Sequence, residues 1–465
     1  MRNFKLLYLI VIVILLASCA SYYRKNQAVM EAIYNGDFDG ASEIVESRKI
    51  KKKKRNQLLY YLNKGTILFM ANKPVESTNY FRQADYFIED YQKNYARNAA
   101  SFISNPSIQI YEGESFEKIL LHYYTVLNYL QLNQLDEALI ECKRMQLKMQ
   151  KNNDFFKNKN KYKNDAFVNL LMGIVYDAQA DYNNAYIAYK NAYEIYKTEY
   201  AKSLQTNVPH QLKLDLIRTA TLTGFTNEAS DFKEEFKLPN YQPEVRHKSN
   251  LVSFWNNGFG PVKDQWSINF TITPGGDGWV NFVNWDLGIN LPFYVGNDAK
   301  SLQQLNIIRV AFPKYISRLP FTSQAELSFD SLTISSQFEL AEPIDKIAYT
   351  SLNDRMLKEL SEALVRLALK QVAALATKKE NEGVAAALSI VNAITEQADT
   401  RNWQTLPYSI NYTRTYLPAG QHHGTFKSDK TTTNFSVTIK PNKTTFKVFQ
   451  TPYFKTYSQQ SYNIP

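Results

Sequence analysis

Residues 166–196, AFVNLLMGIVYDAQADYNNAYIAYKNAYEIY, are the stretch that decides the fold of the first half of the chain. Small and aromatic residues recur in it at the spacing of two helices that cross closely: Gly173, Tyr176, Ala185, Tyr189 and Ala192. Small residues let two helix backbones approach each other, and aromatic side chains fill the space beside the crossing. The stretch therefore predicts a helical hairpin with Gly173 at its point of closest approach.

The same pattern recurs along the first half of the chain. Residues 60–90 form a second unit, with the expected residue types at Tyr61, Gly65, Leu68, Phe81 and Ala84 and with Ser77 in place of an alanine. Weaker units centre on Ala138 and Ala229, and a fragment lies near Ala41. These units resemble tetratricopeptide repeats, which stack into arrays that bind partner proteins. We predict an all-α tetratricopeptide-like helical repeat array over residues 19–239, with irregular spacing. Helical hairpins without the repeat superhelix are the alternative.

The N-terminus has the features of an export signal. A short basic start precedes an apolar run at residues 6–16, which has the length of a signal-peptide core and is short for a bilayer span. The run ends in Leu16-Ala17-Ser18-Cys19, which resembles the lipobox of bacterial lipoproteins. The resemblance implies that residues 1–18 are a lipoprotein signal peptide and that Cys19 is lipidated, which anchors a protein firmly when two or more acyl chains are attached. An ordinary cleaved signal or an N-terminal anchor helix is the alternative.

The residues after the cysteine bear on the location of the lipidated chain. Ala20 and Ser21 follow Cys19, so the sequence lacks the Asp that usually retains a lipoprotein at the inner membrane, and it lacks an acidic surface-export cluster. We therefore expect a chain that is lipid-anchored in the outer membrane and faces the periplasm. The chain has 54 Lys and Arg against 44 Asp and Glu, a formal net charge of +10. On an exported protein, this mild excess favours anionic lipid or acidic partners over nucleic acid.

Cysteine usage limits the available chemistry. The chain has two cysteines, so only Cys142 is left once Cys19 carries lipid. An intrachain disulfide and a cysteine-based zinc site are then excluded. Cys142 shares an apolar helical stripe with Leu139 and Met145, which predicts a buried thiol rather than a reactive one.

The sequence changes character after Pro239, and we predict an α+β domain over residues 240–465. β-Branched and aromatic residues occur there in short runs bounded by Gly, Pro and Asn, which is typical of strands. The predicted strands are residues 251–255, 266–273, 305–313, 325–332, 335–339, 434–440 and 444–449. Two helices interrupt them, residues 353–379 with Asn353 as N-cap, and residues 383–398. We expect the sheet to pack on this helical pair.

Three motifs resemble an uncharacterised family of bacterial lipoproteins whose first half is tetratricopeptide-like. The motifs are YEGESFE at residues 111–117, leading into His122-Tyr123-Tyr124, NGFGPVK at residues 257–263, and ADTRNWQTLP at residues 398–407. The likeness covers most of the mature chain, and the last motif is its most specific part. The resemblance implies a lipoprotein of this architecture and implies no settled biochemical activity.

The last of these motifs also contains the candidate ligand-binding or partner-binding residues. Asp399 and Arg401, a carboxylate and a guanidinium two residues apart, could hold a polar ligand beside Trp403. Lys263 is a further candidate, for contact with an anion. The structural alternative is that Asp399 caps the helix or pairs with Arg401, while Trp403 packs the helix onto the sheet.

The strongest charge feature is a basic patch within residues 48–55, which comprises Lys51, Lys52, Lys53, Lys54 and Arg55. The patch could hold anionic lipid close to the anchor, and a solvated turn or helix end is the alternative.

No catalytic motif stands out in the sequence. We find no nucleophile elbow, zinc-protease helix or P-loop, and Gly275-Gly276-Asp277-Gly278 indicates a turn. His422 and His423 are neighbours that would point to opposite sides of a strand, so they predict no metal site. We therefore assign no catalytic residue, no cofactor and no metal, and we expect a protein that is not an enzyme.

These observations favour a lipid-anchored periplasmic scaffold of the outer membrane. Its tetratricopeptide-like repeats would bind envelope proteins, in envelope or peptidoglycan assembly, and lipid on Cys19 would hold it on the membrane. The alternative is a hydrolase or glycan-binding protein with its site in the α+β domain. A pocket with converging acids near Asp399, Arg401 and Lys263 would favour the alternative, whereas a flat or grooved apolar surface would favour the scaffold.

Overall fold

The computed structural model describes residues 22–47, 54–95, 109–155, 164–243, 248–303, 307–329, 332–378, 398–454 and 456–458. Cys19 and the lipobox lie outside these ranges, as do Lys51, Lys52 and Lys53 of the basic patch. The predicted helix at residues 383–398 also lies outside them, except for its last residue. Among the described helices, none combines the length and the hydrophobicity that a membrane span needs.

The first half of the described chain contains ten α-helices in five consecutive pairs. The pairs are α1 (Tyr22–Tyr34) with α2 (Phe38–Ser47), α3 (Gln57–Met70) with α4 (Pro74–Tyr95), α5 (Ser115–Gln131) with α6 (Leu135–Phe155), α7 (Ala166–Ala178) with α8 (Tyr182–Ile195), and α9 (His210–Leu222) with α10 (Thr226–Glu235). A 3-10 turn (Lys54–Asn56) precedes α3, and a π-helical stretch (Tyr196–Leu204) follows α8. The prediction of helical repeats in this half is confirmed.

All five pairs are joined by the same turn. The second residue after each first helix is left-handed, with φ between 57° and 82°, and these residues are Gly36, Asn72, Asn133, Ala180 and Gly224. In the turn between α7 and α8, the amide of Ala180 donates to the carbonyl of Asp177 (3.0 Å), and the next amide, of Asp181, donates to Tyr176 (2.9 Å). The other four turns form the same two hydrogen bonds, and this closure satisfies the last carbonyls of each first helix. Five copies of one turn define a repeat, although the copies are unevenly spaced along the chain.

Packing within the pairs follows the small-residue pattern of the sequence. A Cβ atom on Gly173 would lie 2.5 Å from the ring of Tyr189, and one on Gly65 would lie 2.8 Å from the ring of Phe81. Each aromatic ring thus occupies the space that a side chain at the glycine would need. This is the close approach that the sequence predicts at Gly173.

The second half of the described chain contains 13 strands in three sheets. The strands are β1 (Asn250–Asn257), β2 (Val262–Gly276), β3 (Trp279–Asn284), β4 (Ile289–Tyr294), β5 (Ile307–Leu319), β6 (Ala325–Phe329), β7 (Ile334–Gln337), β8 (Glu339–Glu342), β9 (Ser409–Tyr416), β10 (Gly420–Ser428), β11 (Thr431–Ile439), β12 (Thr444–Thr451) and β13 (Thr456–Ser458). The orders are β12-β1-β9-β8 in the first sheet, β11-β10-β6-β7 in the second, and β13-β5-β2-β3-β4 in the third. Short α11 (Ala299–Gln303) and long α12 (Ile344–Lys378) pack on the third sheet.

Strand β1 joins the two halves of the protein, because both of its faces are buried. Val252 and Phe254 belong to the core of the helical repeats, whereas Leu251 and Trp255 belong to the core between the first and second sheets. Successive side chains of a strand point to opposite faces, so one strand contributes to two cores. The helical and sheet-rich halves therefore share a continuous hydrophobic core.

The first helices of the third and fourth pairs, α5 and α7, are buried on nearly every side. Residues 119–128 of α5 and residues 166–175 of α7 are all buried. The second helices cover one side, and the first sheet covers the other, where the Tyr123 hydroxyl of α5 donates to Asn256 Oδ1 of β1 at 2.8 Å. The face of the first helices, which an isolated array would offer to partners, is thus occupied by the protein's own second half.

The start of α12 differs from its prediction. The helix begins at Ile344, directly after Pro343, so Asn353 lies inside it and is not an N-cap. Asp345 in the first turn supplies the acidic residue that a helix N-terminus favours. The prediction that a sheet packs on this helix is correct for the third sheet, while the packing of the first sheet on the repeats was not predicted.

Candidate functional site

A cleft of about 310 Å³ lies where the repeats, the third sheet and α12 meet. Its walls come from the residues before α5, from β2, β5 and α12, and from the segment that begins at Ala398. The charged lining residues are Glu112, Glu114, Lys263, Arg355, Glu359, Glu362, Arg366 and Asp399. The structure thus brings Lys263 and Asp399 into one cleft, and it places Arg401 and Trp403 behind the cleft wall.

Glu114 is the central charge of this cleft. It is the N-cap residue of α5, and its carboxylate forms ion pairs with Lys263 on β2 and Arg355 on α12. Burial opposes ionisation of Glu114, but the two cations outweigh burial and hold the pKa of this carboxyl well below its usual range. Arg355 also pairs with Glu359 at 2.6 Å. Much of the charge in the cleft is therefore compensated within the chain.

Lys263, the predicted anion contact, is buried with only 4% of its surface exposed. Its ammonium pairs with Glu114 and lies 5.6 Å from the ring centre of Tyr315. An anion would have to displace the Glu114 carboxylate to reach it. This geometry makes Lys263 a link between β2 and α5 rather than an open anion contact.

Glu117, one turn after Glu114, has the opposite electrostatic behaviour. Burial, together with the negative charge of Glu114, raises the pKa of Glu117. Its carboxyl accepts hydrogen bonds from the Tyr111 hydroxyl (2.6 Å), the Glu114 amide (2.9 Å) and the Trp403 amide (2.7 Å). Glu117 is fully enclosed, so it fastens the 398–407 segment to α5 and is out of reach of a ligand in the cleft.

Asp399 and Arg401 pair with each other. Arg401 Nε lies 2.8 Å from Asp399 Oδ1, and Nη2 lies 2.6 Å from Oδ2. The same guanidinium donates through Nη1 to the carbonyls of Arg55 (2.9 Å) and Gln109 (3.0 Å). The pairing of Asp399 with Arg401 agrees with the structural alternative predicted from the sequence. Arg401 also ties together segments that lie far apart in the sequence, which was not predicted.

Trp403 packs in a different place from the one predicted. Its ring lies 5.8 Å from Phe81 and 5.6 Å from Tyr124, both in the helical repeats. The indole N–H donates to the hydroxyls of Thr66 (3.1 Å) and Thr405 (2.8 Å). Trp403 is 1% exposed and fills the repeat core, so the expectation that it packs a helix onto the sheet is wrong. A large apolar surface with one N–H suits a pocket that has a buried hydroxyl.

The other candidate residues are scattered. Of the basic patch, Lys54 is exposed and Arg55 is half-buried, and the Arg55 carbonyl accepts from Arg401. On β10, His422 Nε2 lies 2.7 Å from the Pro418 carbonyl, and His423 Nδ1 lies 3.0 Å from the Ser436 hydroxyl. The described residues contain no group of His, Cys, Asp and Glu arranged to hold a metal ion.

A cluster of buried charges at the junction of the halves was not predicted from the sequence. Asp177 on α7, Asp215 and Arg218 on α9, and Arg414 on β9 form ion pairs with one another. The spacing of Asp215 and Arg218 was a possible sign, since residues three apart share a helix face. Nothing in the sequence connects them with Arg414, almost 200 residues later.

The second helices carry exposed apolar side chains on the outside of the repeats. Ile140 and Leu147 are seven residues apart on one face of α6 and are 53% and 55% exposed. Tyr86 on α4 is 62% exposed. Asp85 and Lys148 form an ion pair that connects α4 and α6. Tyr86 and Leu147 are their immediate neighbours in the sequence. We call Tyr86, Ile140 and Leu147 the outer apolar surface.

Comparisons with known proteins add remote likenesses to the helical half. The apo form of RapI aligns with a TM-score of 0.33 and 13% identity over 47% of this chain, which spans about half, 53%, of the RapI chain. Two structures of nearly identical kinesin light chain TPR-like repeats from Podosopora anserina each align with a TM-score of 0.30 over 46% of this chain, at 15% and 14% identity, covering 92% and 93% of their own lengths. No protein-family model matches the sequence, and no curated protein matches it. Similarity this remote carries no argument, so the repeat assignment rests on the five shared turns.

Proposed function

We propose that the protein is a lipid-anchored scaffold of the outer membrane that faces the periplasm and binds envelope proteins through its helical repeats. It performs no reaction in this proposal. Lipid on Cys19 confines it to the membrane, and confinement raises the effective concentration of a bound partner there. Envelope or peptidoglycan assembly is the process in which such tethering would act.

The observation that carries this proposal is the outer apolar surface. The inner face of the repeats is filled by the first sheet, so a partner must bind the second helices. A partner that covers Leu147 and Tyr86, which are 55% and 62% exposed, would gain free energy by removing their apolar surface from water. Lys143, which is exposed on α6 between Ile140 and Leu147, suits an acidic group on that partner.

The lipid anchor rests on the resemblance of residues 16–19 to a lipobox. The family likeness of the three motifs points the same way, toward a bacterial lipoprotein. The expected result of lipidation is that the protein sediments with outer-membrane fractions, and that a Cys19→Ala variant does not.

The proposal is tested by crosslinking in cells followed by purification of the tagged full-length chain. Wild type should capture a defined set of envelope proteins, and Leu147→Glu should reduce that capture at least tenfold because a charge would enter an apolar contact. Val75→Glu is the matched control, since Val75 is 56% exposed on α4 and lies outside the outer apolar surface.

Two results would contradict the proposal. Capture that is equal in wild type and Leu147→Glu would exclude the outer apolar surface as the contact. Capture that persists unchanged in Cys19→Ala would exclude tethering as the mechanism.

A second candidate function is a hydrolase or glycan-binding protein, and the charged cleft is the observation that favours it. Glu112 and Glu362 line the cleft and are more accessible than the enclosed Glu114. If the cleft binds a ligand, soluble glycan fragments should raise the melting temperature of wild type and have little effect on Glu362→Gln. Release of new reducing ends would separate a hydrolase from a binding protein.

A further inference from the structure

The β3–β4 hairpin carries a pair of exposed aromatic side chains. Trp279 and Tyr294 are directly opposite each other on these strands, with ring centres 5.4 Å apart. They are 43% and 65% exposed, on the face of the third sheet that points away from α12. In the described part of the chain, neither the indole N–H of Trp279 nor the hydroxyl of Tyr294 forms a hydrogen bond.

Two glycines make room for this pair. A Cβ atom on Gly278, where φ is +84°, would lie 2.9 Å from the ring of Tyr294. A Cβ atom on Gly275 would lie 2.8 Å from the Cβ of Trp279. Both glycines lie at the turn between β2 and β3, and a side chain at either position would collide with Trp279 or Tyr294. The rings therefore lie close to the backbone of this turn while their outer surfaces stay in water.

The strand residues beside the pair are polar and uncharged, and the nearest acidic residue in the sequence is Asp277 in the turn before Trp279. Asn281 and Thr273 are paired across β3 and β2 on the same face, and Asn290 lies on the exposed face of β4. Strands β3 and β4 contain no charged residue. Carboxamides and hydroxyls both donate and accept hydrogen bonds, whereas an anionic membrane surface would call for Lys and Arg. Pro292 in β4 removes an amide from the strand edge, which weakens that edge as a site for an added strand.

We propose that Trp279 and Tyr294, with the neighbouring carboxamides, form a binding surface for a neutral saccharide. The C–H face of a pyranose ring is apolar and its rim carries hydroxyls, so it can stack on an aromatic ring while its hydroxyls pair with polar groups beside that ring. The paired exposed rings, the carboxamides beside them and the absence of charge on β3 and β4 together match this chemistry. The inference does not depend on the proposed scaffold function.

The test is isothermal titration of the purified full-length chain with chitohexaose, cellohexaose and maltohexaose. At least one of these neutral oligosaccharides should bind, and Trp279→Ala should weaken its binding at least tenfold. Tyr294→Phe, which keeps the ring and removes the hydroxyl, should weaken binding by a smaller factor. Quenching or shift of tryptophan fluorescence on binding should disappear in Trp279→Ala.

Trp285→Ala is the matched control, because Trp285 is 76% exposed at the opposite end of the same hairpin, about 20 Å away along β3. It should keep wild-type affinity. Binding of none of the three oligosaccharides at millimolar concentration would overturn the proposal, as would equal losses in Trp279→Ala and Trp285→Ala. Binding of phosphatidylglycerol vesicles that needs Trp279, without saccharide binding, would assign the pair to a membrane surface instead.

Discussion

Arg414 on β9 and Asp177 on α7 form an ion pair of 2.7 Å in which both side chains are closed to solvent. The Arg414 Nε also lies 3.1 Å from Asp215, and Arg218 pairs with both aspartates. Two arginines and two aspartates thus balance one another between the repeats and the first sheet. The junction depends on charge balance as well as on apolar contact.

Arg414→Leu should therefore destabilise the protein strongly. The substitution leaves two buried aspartates with one arginine, and breaking a buried pair in this way costs about 3–5 kcal/mol. Urea unfolding followed by circular dichroism measures the loss. Lys197→Leu is the control, since it breaks an exposed pair with Glu235 whose loss should cost less than about 1 kcal/mol. A loss for Arg414→Leu as small as that of the control would show that the buried cluster contributes little.

Gly173→Ala should also destabilise the protein, and here the sign of the effect is decisive. An alanine in place of a helical glycine normally stabilises a helix by about 1 kcal/mol. At Gly173 the added methyl would meet the ring of Tyr189 at 2.5 Å, and overpacking of this kind costs about 1–3 kcal/mol. Thermal unfolding of the variant distinguishes the two effects. A rise in the melting temperature would mean that the two helices can separate without cost.

The contribution of Asp345 to stability should fall as the pH rises from about 4 to about 6. Burial raises the pKa of Asp345 to about 6, although a hydrogen bond from Ser317 and the charges of Arg318 and Lys346 oppose the shift. The unfolded chain loses this proton near pH 4, so between the two values only the folded chain holds it. Above pH 6 the cost of ionising the buried carboxyl is on the order of 2–3 kcal/mol.

Asp345→Asn should accordingly be more stable than wild type at a pH of about 7.5 and should lose most of that advantage near pH 4, where the aspartic acid is neutral in both states. Urea unfolding at the two pH values checks this. Asp231→Asn, an exposed substitution on α10, is the control and should give the same difference from wild type at both. If the stability difference between Asp345→Asn and wild type were the same at both pH values, the raised pKa of Asp345 would be contradicted.

Thiol titration can test burial and lipidation together. Cys142 is fully buried, and burial raises the pKa of its thiol well above its usual range, so the native protein should not react with Ellman's reagent. The denatured mature protein should then release one equivalent if Cys19 carries lipid, and two equivalents if both cysteines of the chain are free. A native protein that reacts at once would contradict the burial of Cys142.

The helical half could be predicted from local pattern, because each hairpin is made by residues close in the sequence. Gly173 and Tyr189 lie on two helices that are joined by a single short turn, so the spacing of glycine and aromatic residue in the sequence predicts their contact. The burial of Cys142 likewise follows from its apolar stripe. Strands β3 and β4 were missed, since Asn and Pro interrupt their apolar alternation and their short length gives little periodicity.

The contents of the candidate site could not be predicted, because they depend on contacts between distant segments. Trp403 was expected to pack near its own helix, but the pocket that receives it is made by Phe81 and Tyr124 in the repeats. Lys263 was expected to face an anion, and its partner Glu114 lies almost 150 residues earlier. Neither partner can be read from the neighbouring sequence.

The position of β1 determines which parts of the molecule can fold first. Its two neighbours, β9 and β12, lie much later in the chain, and Asn250 pairs with Tyr416 and Thr444. During synthesis, the repeats can complete their local contacts while the apolar side of α5 and α7 stays uncovered. Strand pairing between segments so far apart in the sequence slows folding, and the intermediates expose apolar surface that favours aggregation. The C-terminal strands therefore complete the sheet that covers the repeats. A chain cut before residue 444 would lack β12 and would leave one edge of β1 open to pairing with other chains.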